Sequence, residues 1–284
     1  MVQLRLVSIT ALVFAGWCCG AEPPRKVDPT FLHRFLPAVD AITEGGCSYK
    51  ALFGDGDREH AAPKGIARFG ELTLVSGARC KPVNEPAEEQ VYVIIRGNGA
   101  LWYAGDTVPL KRHDFVYLPA GVEHGVANSS SEELHLFLMG FRIPAGVPPP
   151  PKLLIANYDD VPLQNVSGHP DSVQYRLMMG GVQSRRDRIA AGHLLTSLFL
   201  MDFAPGGTNF PHHHDSEEEI YVLLDGQGEI VAGSGMDGIE GRFPAKHGDA
   251  YFFRLNCTVG FYNGSGSPAH ILAVRSIYPR GPAQ

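Results

Sequence analysis

From about Gly65 onward the chain runs in short apolar stretches rich in Val, Tyr, Phe and Ile, separated by clusters of Gly, Pro and Asn. Runs of that length, punctuated in that way, are strands joined by tight turns, so most of the protein is predicted to be antiparallel β. "GNG" at 97–99 and "GQG" at 226–228 read as two of the turns. One earlier stretch reads differently. Asp28 followed by Pro29 is a good helix start, and Phe31, Leu32, Phe35 and Leu36 fall on one helical face, which predicts a short helix packed on the β body.

The pattern repeats. "EEQVYVIIRGNGALWYAGD" at 88–106 aligns with "EEEIYVLLDGQGEIVAGSG" at 217–235, each after a glycine-containing loop at Gly77 or Gly206. Further on, "KRHDFVYLPAGVEHGVANSS" at 111–130 aligns with "KHGDAYFFRLNCTVGFYNGS" at 246–265. Matched order and spacing over two separated blocks imply two copies of one β module, about a domain length apart. Between them "IPAGVPPPPK", 143–152, reads as a stiff connector.

The candidate chemistry is concentrated in "NFPHHHDSEEEIYVLL". On a strand, side chains alternate faces, so His212 and His214 share one side while His213 points away. The odd spacing to Glu219 requires a turn or bulge in "DSEE", after which Glu219, Tyr221 and Leu223 share one side. Two imidazoles and a carboxylate form a facial set suited to a divalent transition metal such as Fe, Mn, Ni or Zn. Glu217 and Glu218 read as solvated; Glu218, or Tyr251, is also the nearest candidate in sequence for a catalytic proton-transfer group.

The spacing Gly206, His212, His214, Glu219, Gly226 resembles the first motif of the cupin superfamily. Of the second motif this repeat keeps Gly248 and Asn263, with Arg254, Asn256 and Val259 at the proline, glycine and histidine positions. The first repeat is the mirror case. It keeps Pro119, Gly121, His124 and Asn128 of the second motif and has Val83, Glu85 and Gln90 at the ligand positions of the first. The resemblance spans roughly 65–142 and 187–276.

It implies an all-β bicupin: two tandem jelly-roll β-barrels after a short helical N-terminal extension, 22–64, with 143–186 as linker and connecting segment and the second barrel over 187–278. It implies a metal site in the second barrel at His212, His214 and Glu219. Val259 cannot coordinate, so the site has three protein ligands or takes its fourth from elsewhere, with Tyr251, Tyr221 or water as candidates. Glu85, Gln90 and His124 form an irregular second set, although a lone inward histidine is more often a hydrogen-bonded pocket residue. Bicupins of this kind include quercetinase-like dioxygenases, oxalate decarboxylases and ureidoglycine aminohydrolases. A dioxygenase-like enzyme acting on a small organic molecule is the first expectation, because a three-ligand site leaves room for a bidentate substrate and O₂. A hydrolase of the ureidoglycine aminohydrolase kind and a non-catalytic binding or storage bicupin are the rivals.

Composition narrows the partners. With 44% hydrophobic residues over 284 positions the chain folds around substantial cores, and a formal net charge of −6 without a basic stripe gives no footprint for nucleic acid or anionic membranes. A small-molecule substrate remains, along with homo-oligomerisation. No G-x-S-x-G elbow, phosphate-binding loop or dinucleotide fingerprint sits between a strand and a helix. The apolar run Leu6–Trp17, followed by small residues, predicts a signal peptide over 1–21 and a secreted or periplasmic protein. Removing it leaves Cys47, Cys80 and Cys257; a Cys47–Cys80 disulfide with Cys257 free is one arrangement, and spacing alone does not set the pairing. Sequons start at Asn128, Asn165, Asn256 and Asn263.

Overall fold

The computed structural model describes residues 30–146, 152–233 and 240–279. The expected signal peptide, the helix start at Asp28–Pro29 and the run of four prolines lie outside the described residues. The first half holds β1 (Phe31–Phe35), β2 (Ile42–Glu44), β3 (Cys47–Gly54), β4 (Ile66–Leu74), β5 (Glu88–Arg96), β6 (Gly99–Tyr103), β7 (Asp106–Leu110), β8 (Asp114–Leu118), β9 (His124–Ala127) and β10 (Leu134–Arg142). The second holds β11 (Leu154–Asn157), β12 (Val173–Gly181), β13 (Ile189–Gly192), β14 (Leu195–Phe203), β15 (His212–His213), β16 (Glu217–Asp225), β17 (Gln227–Gly233), β18 (Glu240–Lys246), β19 (Asp249–Phe253), β20 (Thr258–Tyr262) and β21 (Ala269–Ile277).

These strands build two jelly-roll barrels, each a seven-stranded sheet folded over a smaller one. The first combines β11-β8-β5-β10-β4-β3-β2 with β7-β6-β9, and the second combines β1-β19-β16-β21-β14-β12-β13 with β15-β20-β17-β18. Six of the seven positions correspond under the internal repeat; at the last edge β2 precedes β3 and pairs with it antiparallel, whereas β13 follows β12 and pairs with it parallel. The barrels are stapled by an exchange: β1, from the start of the chain, pairs with β19 of the second barrel, and β11 pairs with β8 of the first.

The expected N-terminal helix is therefore corrected. Phe31–Phe35 is a strand, and only Leu36–Ala38 turns, as a 3₁₀ segment. The spacing of Phe31, Leu32, Phe35 and Leu36 fits a helix as well, but the open edge of β19 offers backbone partners that an isolated short helix lacks. The connecting segment 143–186 is corrected too. It contributes β11 to the first barrel and β12 to the second, so the repeat starts some thirty residues before the motifs that reveal it.

The two large sheets pack face to face. Val91 and Val93 of β5, Phe69 and Phe115 meet Ile220 and Val222 of β16, Leu198 and Phe252 in one core. The alternate residues of the same strands point into the barrels: Tyr92 and Ile94 into the first, Tyr221 and Leu223 into the second. A strand buried on both faces reads as a continuous apolar run, which is how β5 and β16 look in sequence. Each fully buried large side chain here contributes about 1.5–3 kcal/mol, so the interface is a main source of stability. Among the described residues no helix is long and apolar enough to cross a membrane.

Candidate metal centre

The loop that enters the site is under local constraint. Phe210, a non-glycine residue, sits at φ 54° immediately before the histidine run, a backbone region that costs an L-residue roughly 1–2 kcal/mol. Its amide donates to Thr208 Oγ1 at 3.0 Å, and its carbonyl accepts from His212 Nδ1 at 2.8 Å. That bond fixes the His212 tautomer and leaves Nε2 with its lone pair available. Asn209, fully buried, braces the loop: its side chain donates to the Tyr221 hydroxyl at 3.0 Å and accepts from the Phe261 amide at 2.8 Å.

His212, His214 and Glu219 come together as expected, with one ligand atom from each lying within 4.8 Å of the others. His213 is turned out to solvent. Glu219 is 2% exposed, and its Oε2 makes no hydrogen bond among the described residues, although it lies 3.2 Å from His214 Nε2. A buried carboxylate oxygen without a donor is costly unless a cation takes that place. The donor set thus fits a divalent transition metal. Burial pushes the His212 pKa below the ordinary histidine range, which keeps the ring neutral and able to ligate.

Val259, at the position of the usual fourth ligand, pairs directly with His212 across β15 and β20 and is buried in the barrel core. The residue missed in sequence is His169. It sits in "SGHPDS", inside the stretch read as a connector, where a single histidine carries no signal. Its Nδ1 donates to the Asn209 carbonyl at 3.0 Å, which leaves Nε2 open, and its ring lies 5.3 Å from that of His212.

Above the set is a cavity of about 80 Å³, also lined by His169, Tyr175, Arg186, Phe199 and Arg275. Arg275 donates to Glu217 at 3.2 Å, its guanidinium lies over the Phe199 ring, and its Nε has no hydrogen-bond partner. The Tyr175 hydroxyl is likewise buried without a partner, and burial raises its pKa so that it stays protonated.

Both expected proton-transfer groups are corrected. Glu218 follows the strand alternation away from Glu219 and lies at the barrel interface, where it accepts from the backbone amides of Lys64, Gly65 and Ile66 at 2.8–3.2 Å. Tyr251 stacks on His33 and donates to the Pro244 carbonyl at 3.3 Å, outside the cavity lining. The second metal set is also not assembled. Glu85 turns to Arg68 at 3.3 Å, while His124 Nδ1 donates to the Val122 carbonyl and its Nε2 lies 3.0 Å from Gln90 and 3.1 Å from the Tyr92 hydroxyl. His124 is the hydrogen-bonded pocket histidine that the alternative reading described.

No curated protein sequence matches the chain. Among solved structures it is similar to protein Ylba from E. coli (19% identity, TM-score 0.65, covering 87% of this chain and 91% of that one). It is similar to AerE from Microcystis aeruginosa (18%, TM-score 0.63, 86% and 98%). It is also similar to an oxalate decarboxylase from Lactobacillus farciminis in complex with formate (13%, TM-score 0.68, 87% and 86%). Identities this low speak to fold alone. A cupin domain model matches residues 70–140 and 199–275, one match in each barrel and together just over half of the sequence. The chain belongs to the cupin domain family, with two copies of the domain in tandem.

Proposed function

We propose that the protein is a metal-dependent enzyme acting on a small carboxylate-bearing molecule in the second barrel, by a dioxygenase-like oxidation. One observation carries this reading. Glu219 Oε2, Tyr175 Oη and Arg275 Nε are all buried without hydrogen-bond partners, and all three residues line one cavity. The first is an acceptor open to a cation, and the other two are donors able to take an anion, with Arg275 Nε 3.9 Å from Glu219 Oε1. His212, His214 and Glu219 would hold the metal, and His169 is assigned as the donor that stands in for Val259. When bound, a divalent transition metal supplies Lewis acidity and, if redox-active, electron exchange with O₂.

The chain's own residues do the rest. Arg275 and Tyr175 orient the substrate carboxylate, and Asn209 keeps the His169 and His212 rings in register. Phe199 and Met201 line the cavity and reduce its wetting. A cavity of about 80 Å³ suits a small acid better than a flavonol. The Cys47–Cys80 disulfide, with Cα atoms 5.7 Å apart, supports a secreted or periplasmic location.

The test is O₂ consumption by iron- or manganese-reconstituted protein with a panel of small mono- and dicarboxylic acids and catechols. Uptake with one of these acids, with KM raised roughly tenfold in Tyr175→Phe (about 1.4 kcal/mol), supports the reading. Uptake with none of them, with ammonia release from ureido compounds instead, would replace oxidation by hydrolysis.

A further inference from the structure

The first barrel has lost the metal set, yet its mouth is not filled. A cavity of about 490 Å³ opens there, several times the volume above the metal ligands and within the range of small-molecule sites. Its walls are mainly apolar, with Leu72, Val126 and Leu138 among them, and the Cys47–Cys80 disulfide closes one side. The lining also carries polar side chains: Glu44, Arg79 and Lys81 are exposed at its rim, and two polar groups deeper in are buried and unsatisfied. The Tyr49 hydroxyl is buried without a hydrogen-bond partner among the described residues, and so is Arg68 Nε.

Neither group is misplaced by slack packing. Glu88 at 2.9 Å and Glu85 at 3.3 Å grip the far end of the Arg68 guanidinium and leave Nε over. The Tyr49 ring lies against Gly70, where a Cβ would come within 2.7 Å of it, so a glycine makes the room that this tyrosine occupies. Two donors held unpaired in an apolar cavity cost stability unless a ligand accepts from them. At the rim, the exposed side chains of Arg79 and Lys81 form no ion pair among the described residues, and such charges raise the local concentration of anions.

We infer that the first barrel is a metal-free binding site for an amphipathic organic anion, whose apolar ring-sized body fills the cavity and whose oxygen acceptor takes the Tyr49 hydroxyl and Arg68 Nε. This site is separate from the proposed reaction centre, and its test does not use that activity. The probe is 8-anilinonaphthalene-1-sulfonate, compared by fluorescence titration with its uncharged counterpart N-phenyl-1-naphthylamine. The expected result is one anionic probe per folded chain, bound at least fivefold more tightly than the neutral one and retained in His212→Ala plus His214→Ala. Tyr49→Phe should weaken the anionic probe at least fivefold without lowering the melting temperature, because the hydroxyl it removes has no structural partner. Val83→Trp, at the rim, should block the mouth. No saturable binding, equal affinity for the two probes, or binding unchanged in both Tyr49→Phe and Val83→Trp would overturn the inference.

Discussion

His212 and Val259 stand directly opposite each other across β15 and β20, and in the first barrel the same bridge is made by Val83 and His124. The histidine has changed sides of the pair between the repeats. In the second barrel it comes from β15, which leads directly into His214, so one ion can be reached by two imidazoles. In the first it stands alone and is taken up by Gln90 and Tyr92.

The exchange yields a prediction about the fourth ligand. If His169 stands in for Val259, His169→Ala lowers metal affinity roughly tenfold, about 1.4 kcal/mol, without abolishing binding. Adding Val259→His to that variant should recover affinity, because the new imidazole enters at the opposite member of the His212 pair. Calorimetric titration of the metal-free protein with Mn(II) or Zn(II) reads both effects. A single variant with unchanged affinity contradicts the assignment.

Glu89 and Glu218 form a second pair related by the repeat. Glu89 accepts from the amides of His193, Leu194 and Leu195 just before β14, as Glu218 does from Lys64, Gly65 and Ile66 just before β4. Each barrel thus clamps the entry of the other's strand with a buried carboxylate. Removing either by substitution with Ala leaves three amides, and for Glu89 also the buried Tyr117 hydroxyl, without their acceptor and should cost about 3–5 kcal/mol, lowering the melting temperature by roughly 10 °C. Metal content of the folded Glu218→Ala protein should be unchanged, as measured by thermal unfolding and elemental analysis together. Loss of activity without loss of stability would return Glu218 to the catalytic role expected from sequence.

The clamp also marks how far the sequence can be read. Alternation along β16 groups Glu219, Tyr221 and Leu223 as the structure does, but Glu218 reads as solvated because nothing local says that a second sheet covers its face. The sequons show a similar limit. Asn128 and Asn263 are 1% exposed and hold equivalent turns, Asn128 donating to two backbone carbonyls and Asn263 to three, each accepting from Ser130 or Ser265, so of the four sequons only Asn165 and Asn256 are exposed to modification. The candidate metal triad and the repeat follow from local spacing, and the barrel class from the family resemblance those residues carry. His169, the strand exchange and the barrel interface depend on contacts between distant segments, which no local pattern records.

Burial depresses the His212 pKa in the folded chain, and this sets a pH dependence. A base with a lowered folded pKa stabilises the fold above its unfolded value, near 6.5, and that contribution is lost as pH falls through the folded value. Metal occupancy at fixed total metal should therefore hold from neutrality down through pH 6.5 and drop only below it, as proton and metal compete for Nε2. Equilibrium dialysis across pH 5–8 checks this. An occupancy that already falls between pH 8 and 7 contradicts it.

His212, His214 and Glu219 are assigned as the ligands of one metal ion. Elemental analysis of the purified protein, after reconstitution and removal of loose ions, should find about one transition-metal ion per chain and none in His212→Ala plus His214→Ala, with both proteins folded by circular dichroism. An unmutated protein without stoichiometric metal, or a double variant that retains it, would contradict the claim.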